Sequence, residues 1–390
     1  MLDKKINSVV IGTSPISILI AIKLIKFGKD VLIIEKNDHF GGAWKSFKIK
    51  DGIISEASCH LIEHYRNVYR IIEQLSGIKF KYCSPQPLKL YNNGKRELYT
   101  DQRQIFREFY DQLTALFKIP ASIVIQCINR LLSPKMKISK GASINKSVVI
   151  NIWNRFVFFI SYRVPAFMTF KGIMEPSCGY THFAENLIIN AKKEGVHFLQ
   201  DEVLAVSLGK GINVLNLKSG RMVECEKLYV PESFNLANSN ELVELFGPLS
   251  KIKLTPYWHI LITLHNASHP ETLSSYIHLP DNTLFHRITL DKNHSSMEGQ
   301  QLLIQARFDP RLKSDINELI SNLLLQANIC TSLPDFTLRQ VFSECLIASK
   351  RDSMFASGGI QKHDTIEVFP SIGDMARNIA INPFFKKNSV

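Results

Sequence analysis

The sequence predicts an α/β fold: a βαβ unit with a central parallel sheet, interleaved with a second region of mixed sheet and helices. Three observations predict it. Residues 5–46, KINSVVIGTSPISILIAIKLIKFGKDVLIIEKNDHFGGAWKS, read as strand, tight turn, helix, acid-terminated strand and glycine pair. Residues 179–231 read as a helix followed by four strands, and near the C-terminus a strand runs into Gly373-Asp374 and a helix start.

The first unit is built from local signals. Residues 8–11 are β-branched and Gly12 ends the run, while 16–27 carry apolar residues at helical spacing with Lys23 and Lys26 to one side. Gly28 stops this helix, and 31–34 form a second buried strand closed by Glu35. A helix N-terminus after such a turn offers free N–H groups and a positive dipole end to a pyrophosphate, and the acid is placed for ribose hydroxyls. Glu35 follows Gly12 at close to the usual spacing of about 20 residues. The turn reads Gly12-Thr13-Ser14-Pro15-Ile16-Ser17, one glycine where the common signature has three. Ser14 stands where the backbone comes closest to a pyrophosphate, and Ser17 where helix and strand pack most closely. Serine is tolerated at both if φ stays negative, and it narrows the groove. A plain βαβ unit without a nucleotide shares this pattern.

The glycine pair, Asp38-His39-Phe40-Gly41-Gly42-Ala43-Trp44-Lys45-Ser46, follows directly. This order resembles the FAD-binding superfamily of flavin amine oxidases, phytoene desaturases, protoporphyrinogen oxidases and UDP-galactopyranose mutases. The resemblance implies a Rossmann-like FAD-binding domain, with FAD along Gly12, Ser14, Glu35, Gly41, Gly42 and Trp44. The same superfamily holds the Rab GDP-dissociation inhibitors and Rab escort proteins, which keep the fold without flavin. The GTS turn and the GGAWKSF stretch are similar to that branch as well.

Residues 47–60 (FKIKDGIISEASCH) read as a hairpin returning Cys59-His60 toward the cofactor region. The segment is similar to one in UDP-galactopyranose mutases, where a histidine lies near the isoalloxazine; His60 matches it, with His64 four residues on. A hydrogen-bonded core histidine is the equal alternative. Cys59 and His60, adjacent on a strand, point to opposite faces and are not expected to act together. Within 179–231, a helix over 180–193 precedes strands at 196–199, 203–208, 213–217 and 228–230, with Gly211 and Ser219-Gly220 as turns. The resemblance assigns Val203 a backbone contact with the adenine. It assigns Asp374, after Gly373, a ribityl hydroxyl; an ordinary helix cap explains Asp374 equally well.

Length and composition fit two interleaved domains. With 390 residues and 45% hydrophobic content, the chain can bury one large core or two moderate ones. The expected division is 1–85, 180–235 and 340–390 for the FAD-binding domain, and 86–179 and 236–339 for a substrate or cap domain. The seven cysteines are odd in number, scattered and without metal-site spacing, which points to a reducing compartment and no structural metal. Asp3, Lys4 and Lys5 run into the first strand, so no signal peptide is expected, and no charge-free apolar run of about 18 residues predicts a membrane span.

Charge is concentrated. Between Gln112 and Met174 there is no acid, but there are nine Lys and Arg, against a net charge of +12 for the chain. Aromatics interleave there: Trp153, Phe156, Tyr162, Phe167 and Phe170. A basic, aromatic helical stretch fits an anionic small-molecule substrate or docking on an acidic membrane surface; a solvated basic face is the plain alternative. No recognition motif accompanies the charge, so nucleic acid is not expected. The expected localisation is cytoplasmic, with the inner membrane face as a peripheral docking place. Strand-like runs at 258–264 and 302–307 predict a sheet flooring a substrate pocket. His286-Arg287 is the pair singled out for an anion, because arginine offers a bidentate fork; a surface strand pair is the alternative. The resulting expectation is a FAD-dependent oxidoreductase taking hydride to flavin N5 from an anionic or lipid-like substrate, with His60 a candidate beside the flavin and no other catalytic residue or metal site assigned. Its alternative is a flavin-free binding protein for a lipidated or isoprenoid partner.

Overall fold

The computed structural model describes residues 5–48, 54–56, 60–63, 68–83, 87–98, 173–209, 211–232, 234, 254–266, 276–296, 299–307, 309, 311–342, 346–348, 362–371, 375, 378–379 and 382–386. Strand β1 (Ile6–Ile11), helix α1 (Pro15–Lys26) and β2 (Val31–Glu35) form the expected βαβ unit. Ser14 caps α1, its Oγ accepting from the Ser17 N–H at 3.3 Å, and Pro15 fills the first helical position, where no N–H is needed. Gly28, at φ +71°, ends the helix by donating to the Ile25 carbonyl. α1 is buried on nearly all sides, as its run of isoleucines and leucines, interrupted before Lys26 only by Ser17, Ala21 and Lys23, requires.

β1 and β2 sit in a parallel array ordered β10 (His197–Gln200), β2, β1, β13 (Met222–Pro231) and β21 (Ile366–Phe369). β20 (Lys362–His363) lies antiparallel on β21. A parallel sheet is covered on both faces, so its strands are apolar in succession. Val10, Val31 and Ile33 face α1 and α3 (Phe183–Lys193), with α2 (Val68–Ser76) beside them. Val9, Ile11, Leu32 and Ile34 face the other way, into an antiparallel meander of β11 (Val203–Leu208), β12 (Asn213–Leu217) and the start of β13. α3 begins three residues later than the periodicity predicts, because 177–182 form turns in which the Gly179 N–H reaches the Pro176 carbonyl. A short last helix, α5 (Pro383–Lys386), is tied to α1 by Lys23, whose Nζ donates to the Phe384 carbonyl at 2.8 Å.

The second large sheet is ordered β18 (Phe336–Phe342), β14 (Leu254–Leu264), β17 (Gly299–Arg307), β16 (Phe285–Ser296), β15 (Tyr276–His278), β7 (Leu88–Leu90) and β8 (Arg96–Leu98), with β19 (Leu346–Ala348) on β14. Its two faces divide by the period of two. Ile260, Ile262, Ile288, Leu302 and Ile304 pack against Ile320, Leu323 and Leu324 of α4 (Ile316–Gln326). Leu261, Tyr276, Leu303 and Phe342 lie on the opposite face, where Leu61 packs on them. Leu61 follows His60 and precedes β5 (Ile62–Glu63), which joins β9 (Ile173–Pro176) and β6 (Phe80–Tyr82) in a small sheet. The hairpin predicted over 47–60 is present as β3 (Ser46–Lys48) and β4 (Ile54–Glu56). The basic stretch 112–174 lies outside the described residues, apart from its last two. No helix among the described residues is long and apolar enough to cross a membrane.

Candidate cofactor and substrate site

The turn between β1 and α1, the end of β2 and the glycine pair meet at one place. Gly12 takes φ +79° and Ser14 φ −59°, so the serine adopts the negative φ that its side chain needs. The two serine hydroxyls turn into the turn itself, with Ser14 Oγ 2.9 Å from Ser17 Oγ and Ser17 Oγ donating to the Ile11 carbonyl. Glu35 is buried, and its carboxylate is fully occupied. Oε2 accepts from the Thr13 N–H at 2.9 Å and the Thr13 hydroxyl at 2.7 Å. Oε1 accepts from the Asn37 N–H at 3.0 Å and the Asn37 side-chain amide at 2.7 Å. Thr13 Oγ1 in turn accepts from the Gly41 N–H at 2.9 Å, joining turn, acid and glycine pair in one network.

Both glycines of the pair take positive φ, Gly41 at +104° and Gly42 at +57°, conformations that favour glycine. A Cβ on Gly42 would lie 3.6 Å from Ser14 Cα, so the pair rests on the N-terminus of α1. The N–H groups of Ser14, Ile16, Gly42 and Ala43 donate to no other described residue. Trp44 stands in an aromatic socket, 5.3 Å from Phe183 and 6.3 Å from Tyr180 between ring centroids. His60 stacks on it at 3.9 Å and 6°. His60 Nε2 lies 2.7 Å from the Ala43 carbonyl, a contact that the Nε2–H tautomer makes, leaving Nδ1 as the bare nitrogen. Val203 opens β11 three residues after Gln200, the register partner of Glu35. Gly373, Asp374, Cys59 and His64 lie outside the described residues.

The second sheet presents a transverse polar row. Directly opposed residues run Lys89, His278, Arg287, Gln305, His259 and Phe342 across β7, β15, β16, β17, β14 and β18. The Gln305 amide donates to His259 Nε2 at 2.9 Å, and the His259 ring stacks on Phe342. Buried Gln305 Oε1 and Thr289 Oγ1 have no hydrogen-bond partner among the described residues, and a buried acceptor or hydroxyl left so costs about 1–3 kcal/mol. Sequence reasoning singled out His286-Arg287 but missed how the two come to share a face. The register shifts between Phe285 and Arg287, so His286 is the extra residue of a bulge. Its ring meets His278 at 5.1 Å and Tyr257 at 5.7 Å, while Arg287 lies over the Tyr276 ring.

Burial lowers the His60 pKa to about 3, the Ala43 carbonyl pulling it back up and the charge of Arg287 lowering it further. Burial and then Arg287 lower His259 and His286 to about 4 each. Arg287 therefore faces three neutral imidazoles. The unfolded chain takes up these protons near pH 6.5 and the folded chain does not, so stability is fully present above that pH and is lost as pH falls toward 4. The expected slope is about 1.4 kcal/mol per pH unit for the fully buried His259 alone. Denaturant unfolding at a series of pH values checks this; stability that stays flat down to pH 5 would show that these rings are protonated in the folded chain. No cluster among the described residues has the ligands of a metal site.

The βαβ unit and parallel sheet have a Rossmann-like architecture, and a family model described as an NAD(P)-binding Rossmann-like domain matches residues 10–75, which include α1, β2 and the glycine pair. The fold resembles those of solved structures that share 14% sequence identity or less with this chain. It is similar to an oxidoreductase from Methanosarcina mazei, at 13% identity and TM-score 0.60 over 96% of this chain and 98% of that one. Putrescine oxidase with putrescine bound is similar at 12% identity and TM-score 0.57, with 98% of each chain covered. Reduced UDP-galactopyranose mutase is similar at 14% identity and TM-score 0.54, over 87% of this chain and 83% of that one. No curated protein matches the chain in sequence.

Proposed function

We propose that this chain is a FAD-dependent oxidoreductase acting on an anionic or lipid-like small molecule. The observation that carries the reading is the convergence of the α1 N-terminus, the glycine pair resting on it at Ser14, and Glu35 at the end of β2. The residues fit the group. The N–H groups of Ser14, Ile16, Gly42 and Ala43 and the positive end of α1 suit a pyrophosphate, and Glu35 suits a ribose once one of its internal partners gives way. Bound there, FAD would supply hydride acceptance at N5; the chain's residues bind, orient and exclude water. Structural likeness to putrescine oxidase and UDP-galactopyranose mutase supports this reading.

The substrate class follows from charge. Between Lys89 and Phe342 the polar row holds two cations and no carboxylate, and burial keeps its His259 neutral. An ammonium substrate would meet Arg287 with no acid in the row to offset it. An anion gains a bidentate partner there. Neutral His60 commits its Nε2–H to the Ala43 carbonyl, and its bare Nδ1 is an acceptor. The stretch 112–174 would contribute further cations to the same substrate or to an acidic membrane surface.

A second reading rests on the filled carboxylate of Glu35: a flavin-free protein that binds a lipidated or isoprenoid partner. The visible absorption spectrum of the purified protein, with heat release of any chromophore, separates the two. Flavin bands from released FAD are expected. A colourless protein that takes up no added FAD would overturn the enzyme reading and leave the binding one.

A further inference from the structure

Glu35 has no acceptor position to spare. A carboxylate offers about four lone-pair sites, and here Thr13 takes two and Asn37 takes two. A ribose hydroxyl therefore binds Glu35 only by displacing one of these four donors. They are not equally exchangeable. Thr13 is buried, and its hydroxyl also receives the Gly41 N–H, so releasing it would undo the seat of the glycine pair. The Asn37 N–H is fixed by the backbone two residues beyond the carboxylate. The Asn37 side-chain amide is different. It sits on a half-buried residue at the rim, its 2.7 Å bond to Oε1 is partly open to solvent, and rotation about its own side-chain bonds releases it without moving any backbone.

We infer that Asn37 sets the affinity of this site for the adenosine half of a dinucleotide, because its amide occupies the acceptor position on Glu35 that a ribose hydroxyl needs. The inference rests on the FAD reading and adds a residue to it. Each binding event exchanges one hydrogen bond to the carboxylate for another, so the gain normally drawn from this acid is largely cancelled. In N37A the amide is gone, the Asn37 backbone N–H bond remains in place at the alanine, and one lone-pair site of Oε1 opens.

Equilibrium titration with FAD, and separately with FMN, tests this on the wild-type chain and N37A. FMN has no adenosine and cannot use the opened position. The expected result is FAD binding tightened roughly ten- to a hundredfold in N37A, the worth of one hydrogen bond to a charged group, with FMN binding unchanged. FAD bound equally well by both proteins overturns the inference and leaves the FAD reading standing. Equal tightening of FAD and FMN also overturns it, since the effect would not run through the ribose. No FAD binding by either protein overturns the inference and the FAD reading together. Should N37A fail to fold, N37V repeats the measurement, since valine carries no donor to refill the position on Oε1.

Discussion

Glu35→Ala is expected to lower stability by about 3–4 kcal/mol and to abolish FAD retention. Among the described residues the carboxylate is the only partner of the Thr13 N–H, and it accepts four hydrogen bonds in all from Thr13 and Asn37. Bonds to charged groups contribute about 1.5–3 kcal/mol each, and a buried donor left unpaired costs about 1–3 kcal/mol. The Asn37 half faces solvent and finds water, so the loss concentrates on buried Thr13. Thr13 also holds Gly41, so the glycine pair loosens with it. Thermal unfolding followed by circular dichroism, together with flavin content after purification, checks both parts. Glu35→Gln keeps one acceptor oxygen and should lose less. An alanine variant that melts with the wild type would show the network to be incidental.

Gly41→Ala is the second large effect, expected at about 2–4 kcal/mol with loss of bound flavin. At φ +104° an L-residue is strained, which alone costs on the order of 1–3 kcal/mol. The added Cβ would also lie 3.1 Å from the Ala184 Cβ on α3 and 3.2 Å from Lys45 N and Cα, so backbone must move. Movement breaks the Gly41 N–H bond to Thr13. Gly12→Ala is the internal comparison. Its φ is +79°, yet a Cβ there meets nothing within 4 Å, so only the conformational cost remains. If the two variants melt alike, the crowding at Gly41 is not what holds the pair.

The βαβ unit was legible because its determinants are local. Gly12 must turn at positive φ, Ser14 caps the helix by accepting from the N–H three residues on, and apolar runs announce β1 and β2. The glycine pair was legible for the same reason. Asn37 was not, since nothing in its type two residues after an acid distinguishes a clasp from an ordinary turn. The polar row left a faint mark in sequence: Gln305 breaks the apolar run of β17, and His259 that of β14.

By itself the sequence determined the α/β class, the turn that opens the dinucleotide domain, and the placing of Glu35 at the end of β2. These depend on backbone sterics and hydrophobic period within some thirty residues. The tertiary structure decided which strands pair: β1 beside β13, β13 beside β21, and β7 beside β15. It also decided that a bulge at His286 turns two neighbours to one face, and that Lys89, His278, Arg287, Gln305 and His259 fall in one row. Register between distant strands is set by which faces bury against each other, and that information is carried by no single segment.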